Sequence, residues 1–130
     1  MVKISGQINR DHFKTVVSNS RKELIGDEAT GNGGADLGFS PEELLCSALL
    51  TCTCITLRMY ADRKNWPLES VEVMVSMEKD SAHKMTHMHR EIQLKGNLSR
   101  EQKERLIEIA GQCPVHRILT NPIDIKTVFS

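Results

Sequence analysis

With 130 residues, 39% of them hydrophobic, and 17 Lys plus Arg against 17 Asp plus Glu, the chain is the size of one domain, residues 1–130, with enough apolar material for a core. The charge balance provides no basic field for nucleic acid and no acidic solvating tail. The N-terminal MVKISGQINRD has neither the apolar run of a signal peptide nor transit-peptide character, so a cytoplasmic protein is expected, whose four cysteines are buried, catalytic or metal-binding and not a disulfide framework.

In chain order, Val2 to Gln7, Phe13 to Val17 and Glu23 to Asp27 read as the strands of an N-terminal β-meander, with a turn at Ser18-Asn19-Ser20-Arg21. Glu28 to Gly38 holds four of the eight glycines and no apolar periodicity, which predicts a mobile loop. It lacks a Walker lysine and a strand-glycine-helix fingerprint, so it is not expected to cradle phosphate.

The central stretch runs from Ser40 to Lys64. Leu44 to Leu57 are fourteen consecutive uncharged residues, which predicts a long central helix buried on nearly every side. That run is shorter than the roughly 18 residues a membrane span needs. Ser40, Pro41 and Glu43 form a helix start with a capping box. A helix apolar all round wants more cover than a small domain gives, so a homodimer is expected.

Asn65-Trp66-Pro67 ends that helix. Leu68 to Met77 then alternates, with Val71, Val73 and Val75 on one face. His87 to Lys95 alternates again, with Met88, Arg90, Ile92 and Leu94 on one side and His87, His89, Glu91 and Gln93 on the other, predicting a β-hairpin. Ser99 and Gln102 form a second capping box for an amphipathic helix ending near Gly111. Cys113 to Leu119 reads as a further helical turn, and Ile123 to Phe129 as a C-terminal strand. The fold class is therefore α+β.

The chemistry must come from the thiols. A cysteine in an apolar helix is by default a small hydrophobe, and Cys46 and Cys54 are read so. Cys52 is turned from both by about 120° or more around the helix, which argues against zinc held between Cys52 and Cys54. Two features single out Cys52: a second thiol, Cys113, before a proline at a helix start, where backbone N–H groups favour a thiolate, and a carboxylate, Glu42, at the start of its own helix. Ten helical residues place the Cα atoms of Glu42 and Cys52 about 15 Å apart.

The run Ser40-Pro41-Glu42-Glu43-Leu44-Leu45, Cys52 ten residues past Glu42, and Cys113-Pro114-Val115 resemble the osmotically inducible protein C and organic hydroperoxide resistance (OsmC/Ohr) superfamily. Ala61-Asp62-Arg63-Lys64 and Asp27-Glu28 resemble its small OsmC-like branch. The resemblance implies an intertwined homodimer and a thiol peroxidase for organic hydroperoxides. Cys52 would be the peroxidatic thiol and Cys113 the resolving one, assisted by Glu42 and an arginine of the N-terminal hairpin. Arg10 is the better positional match for that arginine and Arg21 the alternative. No metal or flavin is implied, and the reductant would be an external dithiol, a lipoyl-type protein or small thiol. The alternatives are a non-catalytic ligand-binding or structural dimer of the same fold, and metal binding through His83, His87 and His89.

Overall fold

The computed structural model describes residues 1–130. They form two compact units, Met1–Leu45 and Cys46–Ser130. In the first, β1 (Ser5–Ile8), β2 (Thr15–Ser18) and β3 (Glu23–Gly26) make an antiparallel sheet in the order β1-β2-β3. The register pairs Gly6 with Val17 and Val16 with Ile25. The meander is as expected, but the first strand starts at Ser5, because Met1 to Ile4 find no strand partner. Asn19 closes the β2–β3 turn, its Oδ1 accepting from the N–H groups of Arg21 and Lys22 at 3.0 and 2.9 Å, the local bonding that makes asparagine a turn residue.

The glycine-rich segment read as a loop is anchored. Its two ends are tied by one buried carboxylate: Asp27 accepts from the backbone N–H groups of Phe13 at 2.9 Å, Glu28 at 2.7 Å and Leu37 at 3.1 Å. Thr30–Asn32 form a 3-10 turn between them, and Gly26 bridges to Phe39. Burial alone would push the Asp27 carboxyl up, but the N–H groups of Phe13, Leu37, Glu28 and Ala35 outweigh it and hold it below the ordinary aspartate value.

Helix α1 spans Pro41–Lys64 and begins as expected. Glu43 N–H donates to Ser40 Oγ at 3.2 Å, and Ser40 N–H donates to the Glu43 carboxylate at 2.8 Å. Asn65, left-handed at φ 57°, ends it, consistent with an αL helix stop.

In the second unit, β4 (Leu68–Asp80) and β5 (Met85–Gly96) form an antiparallel hairpin in which Val71 faces Leu94, Val73 faces Ile92 and Val75 faces Arg90. Helices α2 (Arg100–Ala110) and α3 (Pro114–Thr120) follow. The Ser99–Gln102 capping box forms in both directions. The core joins Leu57 and Ala61 of α1, Leu68, and Leu106, Ile109 and Ala110 of α2, with Val71, Ile92 and Leu94 packed against them from the sheet. Leu57 and Leu106 are fully buried, and truncating either to alanine would cost about 2–5 kcal/mol.

Two expectations need correction. Burial of α1 is one-sided within a single chain: Leu49, Thr53, Leu57 and Ala61, four residues apart, form its buried stripe, while Ile55 and Met59 are 53% and 57% exposed. The chain is too small to put a layer of its own over both faces. The whole of α1 also reaches the length and hydropathy of a membrane span, and its Leu57 and Ala61 pack in the core with α2 and the sheet. The C-terminal strand does not form: residues 122–130 carry no regular structure and are exposed. Apolar alternation becomes a strand only against an available edge, and no strand of the same chain pairs with Ile123 to Phe129.

Because the folded Asp27 carboxyl lies below its ordinary value, its contribution to stability is complete above the unfolded value of 3.8 and is lost as pH falls through the lower folded value. Thermal melts between about pH 5 and pH 2 should show the wild type falling more steeply than Asp27→Asn, the two curves converging at the acid end. Parallel curves would show that the N–H groups around Asp27 do not favour the anion.

Candidate thiol site

The sequence that starts α3 determines the site. Pro114 stands at its first position and has no N–H to satisfy. The next two amides each donate to a sulfur. Val115 N–H reaches Cys52 Sγ at 3.5 Å, from a residue 63 positions away in the chain. His116 N–H reaches Cys113 Sγ at 3.4 Å, so a thiol takes the N-cap role usually held by serine or aspartate. Both thiols are free. Cys52 is half-buried and Cys113 fully buried, and both sulfurs accept from amides of the same turn.

The four cysteines separate as their spacing requires. Burial pushes the Cys54 thiol up, the direction of an inert, core-filling thiol. Cys46 is likewise half-buried. The pairing of Cys52 with Cys113 at one turn is thus a property of the fold as well as of the motif.

Glu42 and Arg10 belong to the first unit. Glu42 is exposed in the first turn of α1, where a carboxylate complements the helix dipole. Arg10 is exposed in the bend between β1 and β2, and Arg21 is exposed in the turn between β2 and β3. The histidines of HKMTHMH do not converge. His83 bonds Asp80 at 2.7 Å, His89 lies 3.5 Å from Glu91, His87 stands opposite Glu78 across the hairpin, and no three His, Cys, Asp or Glu side chains are disposed to hold a metal ion.

A group not assigned from the sequence stands beside the thiols. Arg90 of β5 donates from Nη1 to Thr53 Oγ1 at 3.0 Å and from Nη2 to His116 Nδ1 at 3.1 Å. Thr53 itself donates to the Leu49 carbonyl at 2.7 Å, so its oxygen is the acceptor for Arg90. Because arginine only donates, His116 Nδ1 also accepts and its ring proton sits on Nε2. The guanidinium therefore links the strand to the residue after Cys52 and to the helix that holds Cys113. A signal for it existed: Arg90 occupies an inward position between Met88 and Ile92 in a strand whose other inward side chains are apolar.

The OsmC-like protein family model matches residues 32–128. The chain belongs to this family. Its fold is shared by solved structures of low identity. An OsmC-like protein from Mycoplasma pneumoniae is 16% identical with a TM-score of 0.79, covering 92% of this chain and 86% of its own. The organic hydroperoxide resistance protein OhrB of Bacillus subtilis is 20% identical with a TM-score of 0.64, covering 97% and 95%. An organic hydroperoxide resistance protein, OsmC, from Legionella pneumophila is 18% identical with a TM-score of 0.67, covering 97% and 93%. No curated protein sequence matches the chain. This OsmC-like protein carries Cys52 at mid-helix in α1, and Cys113-Pro114-Val115 opens α3 with Cys113 as its N-cap.

The capping role of Cys113 can be separated from any redox role. Cys113→Ser keeps an acceptor for His116 N–H, whereas Cys113→Ala does not. Denaturant unfolding should find the alanine variant less stable than the serine variant by about 1 kcal/mol. Equal stabilities would mean that the sulfur does not cap α3.

Proposed function

We propose that this OsmC-like protein is a thiol-dependent peroxidase that reduces organic hydroperoxides to alcohols. The observation that carries the reading is the half-exposed Cys52 and the buried Cys113 held by consecutive amides of one turn. The Cys52 thiolate attacks the distal peroxide oxygen. The O–O bond breaks, a proton goes to the leaving alkoxide to give the alcohol, and Cys52 is left as a sulfenic acid. The Cys113 thiol then attacks the Cys52 sulfur, water leaves, and a Cys52–Cys113 disulfide forms. An external dithiol, a lipoyl-type protein or small thiol, reduces it by exchange and is itself oxidised. These steps call on no metal or flavin.

The N–H of Val115 supports the first step by donating to the sulfur that carries the charge. A cation at the peroxide is assigned to Arg10, with Arg21 the alternative, and the carboxylate to Glu42 of the partner subunit, because unbroken helix separates Glu42 from Cys52 within a chain. An intertwined homodimer is favoured by the exposed Ile55 and Met59 of α1 and by the exposed Ile125, Val128 and Phe129. The family match runs from residue 32, in the first compact unit, to residue 128 of the second, and we read residues 1–130 as a single OsmC-like domain. A cytoplasmic location, where thiols stay reduced, suits this chemistry.

A non-catalytic ligand-binding dimer is the second reading, favoured by the pocket beside Arg90. Thiol counting separates the two. With cumene hydroperoxide, the peroxidase should lose two free thiols per chain, Cys52→Ser should consume no peroxide, and Cys113→Ser should oxidise once and then stall or over-oxidise. Equal single-turnover rates for wild type and Cys52→Ser would refute the assignment. Refolding Cys52→Ser chains together with Glu42→Ala chains should restore activity above both parents if Glu42 serves the other subunit. No recovery would place its role elsewhere.

A further inference from the structure

A guanidinium withdrawn from water is normally met by a carboxylate or phosphate. Arg90 is half-buried, yet its protein partners are both neutral: the Thr53 hydroxyl and His116 Nδ1. The hydroxyl is fixed as an acceptor by its own bond to the Leu49 carbonyl, and the imidazole is fixed as the neutral tautomer by receiving a hydrogen from arginine. Two of the roughly five N–H bonds a guanidinium carries are thus spent on orientation, and its charge is left without a counter-ion from the chain. Arg90 and His116 line a pocket of about 200 Å³ whose apolar walls are Leu49, Met88 and Leu119. Thr86 and Thr120 complete its lining.

We propose that this pocket binds a small monocarboxylate with a short alkyl chain, the carboxylate on the guanidinium of Arg90 and the chain against Leu49, Met88 and Leu119. A carboxylate matches the planar fork of donors and supplies the missing charge. The three apolar side chains reward an alkyl group that a bare anion lacks. The volume equals the liquid share of about seven waters, which suits a ligand the size of hexanoate. Thr53 and His116 aim the guanidinium before the ligand arrives, so little ordering cost remains for binding. The proposal concerns binding alone and stands whether or not Cys52 turns over peroxide.

Calorimetric titration of the full-length protein with hexanoate, hexan-1-ol, acetate and inorganic phosphate tests it. Hexanoate should bind at least tenfold more tightly than the alcohol, which lacks the charge, and than acetate and phosphate, which lack the chain. Arg90→Gln, checked for folding by circular dichroism, should lose tenfold or more for hexanoate and little for hexan-1-ol. Leu119→Glu keeps Arg90 and places a carboxylate in the pocket, so it should abolish hexanoate binding while raising the melting temperature. The proposal is overturned by an alcohol that binds as well as the acid, by phosphate that binds as well as hexanoate, by hexanoate failing to bind at millimolar concentration, or by unchanged binding in Leu119→Glu. If Arg90→Gln does not fold, the Leu119→Glu result and the ligand series decide the matter without it.

Discussion

The thiol site depends on two adjacent backbone hydrogens. After Pro114, which has none to offer, the amides of Val115 and His116 each meet a sulfur, one from the middle of α1 and one from the residue that caps α3. A helix start always leaves its first amides without partners in the helix, and here that local requirement is met by a residue 63 positions away. The same bonds that finish α3 therefore fix the register of α1 against it. Shifting α1 by one residue would offer Thr51 or Thr53 to Val115 and turn the buried stripe of Leu49, Thr53, Leu57 and Ala61 out of the core.

A second polar link, from Arg90 to Thr53 and His116, ties β5 to the same two helices. Thr53 is fully buried, in a stripe that is otherwise Leu, Leu and Ala, and its hydroxyl is satisfied by the Leu49 carbonyl and the Arg90 guanidinium together. A buried hydroxyl with both roles filled is tolerated and directional. It gives α1 a rotational setting that apolar packing alone would leave loose. Sheet, central helix and α3 are in this way joined by hydrogen bonds that reach the residue after Cys52 and the third residue after Cys113.

Much of this architecture was readable from residue order. The two capping boxes, the stop at Asn65 and the alternation of Val71, Val73 and Val75 are local signals whose cause lies within a few residues, and each took its expected place. Features decided at long range were harder to read. The apolar residues after Ile123 wrote a strand pattern but had no edge to join within the chain. The uncharged run of α1 wrote burial on all sides, but one chain supplies cover for one side. Arg90 was visible as an inward charge among apolar neighbours, but its partners come from a helix 37 positions earlier and another 26 later, so no local spacing announced them. The cysteine motifs identified both thiols, whereas their meeting at consecutive amides is a fact of three dimensions.

The glycines between Glu28 and Gly38 carry a different consequence. A Cβ at Gly34 would run into the Glu28 carbonyl, and one at Gly38 into the Ile25 carbonyl. At Gly31 nothing lies within 4 Å of where a Cβ would stand. With the flanks clamped on the Asp27 carboxylate, the segment divides into ends whose length and composition are rigidly prescribed and a crown at Gly31 that is sterically unconstrained. An epitope or a fluorophore attachment point would be accommodated at that crown, since extending a surface loop at its tip adds little closure entropy. A residue added within Gly34 to Gly38 would have to pull the carboxylate off its donors.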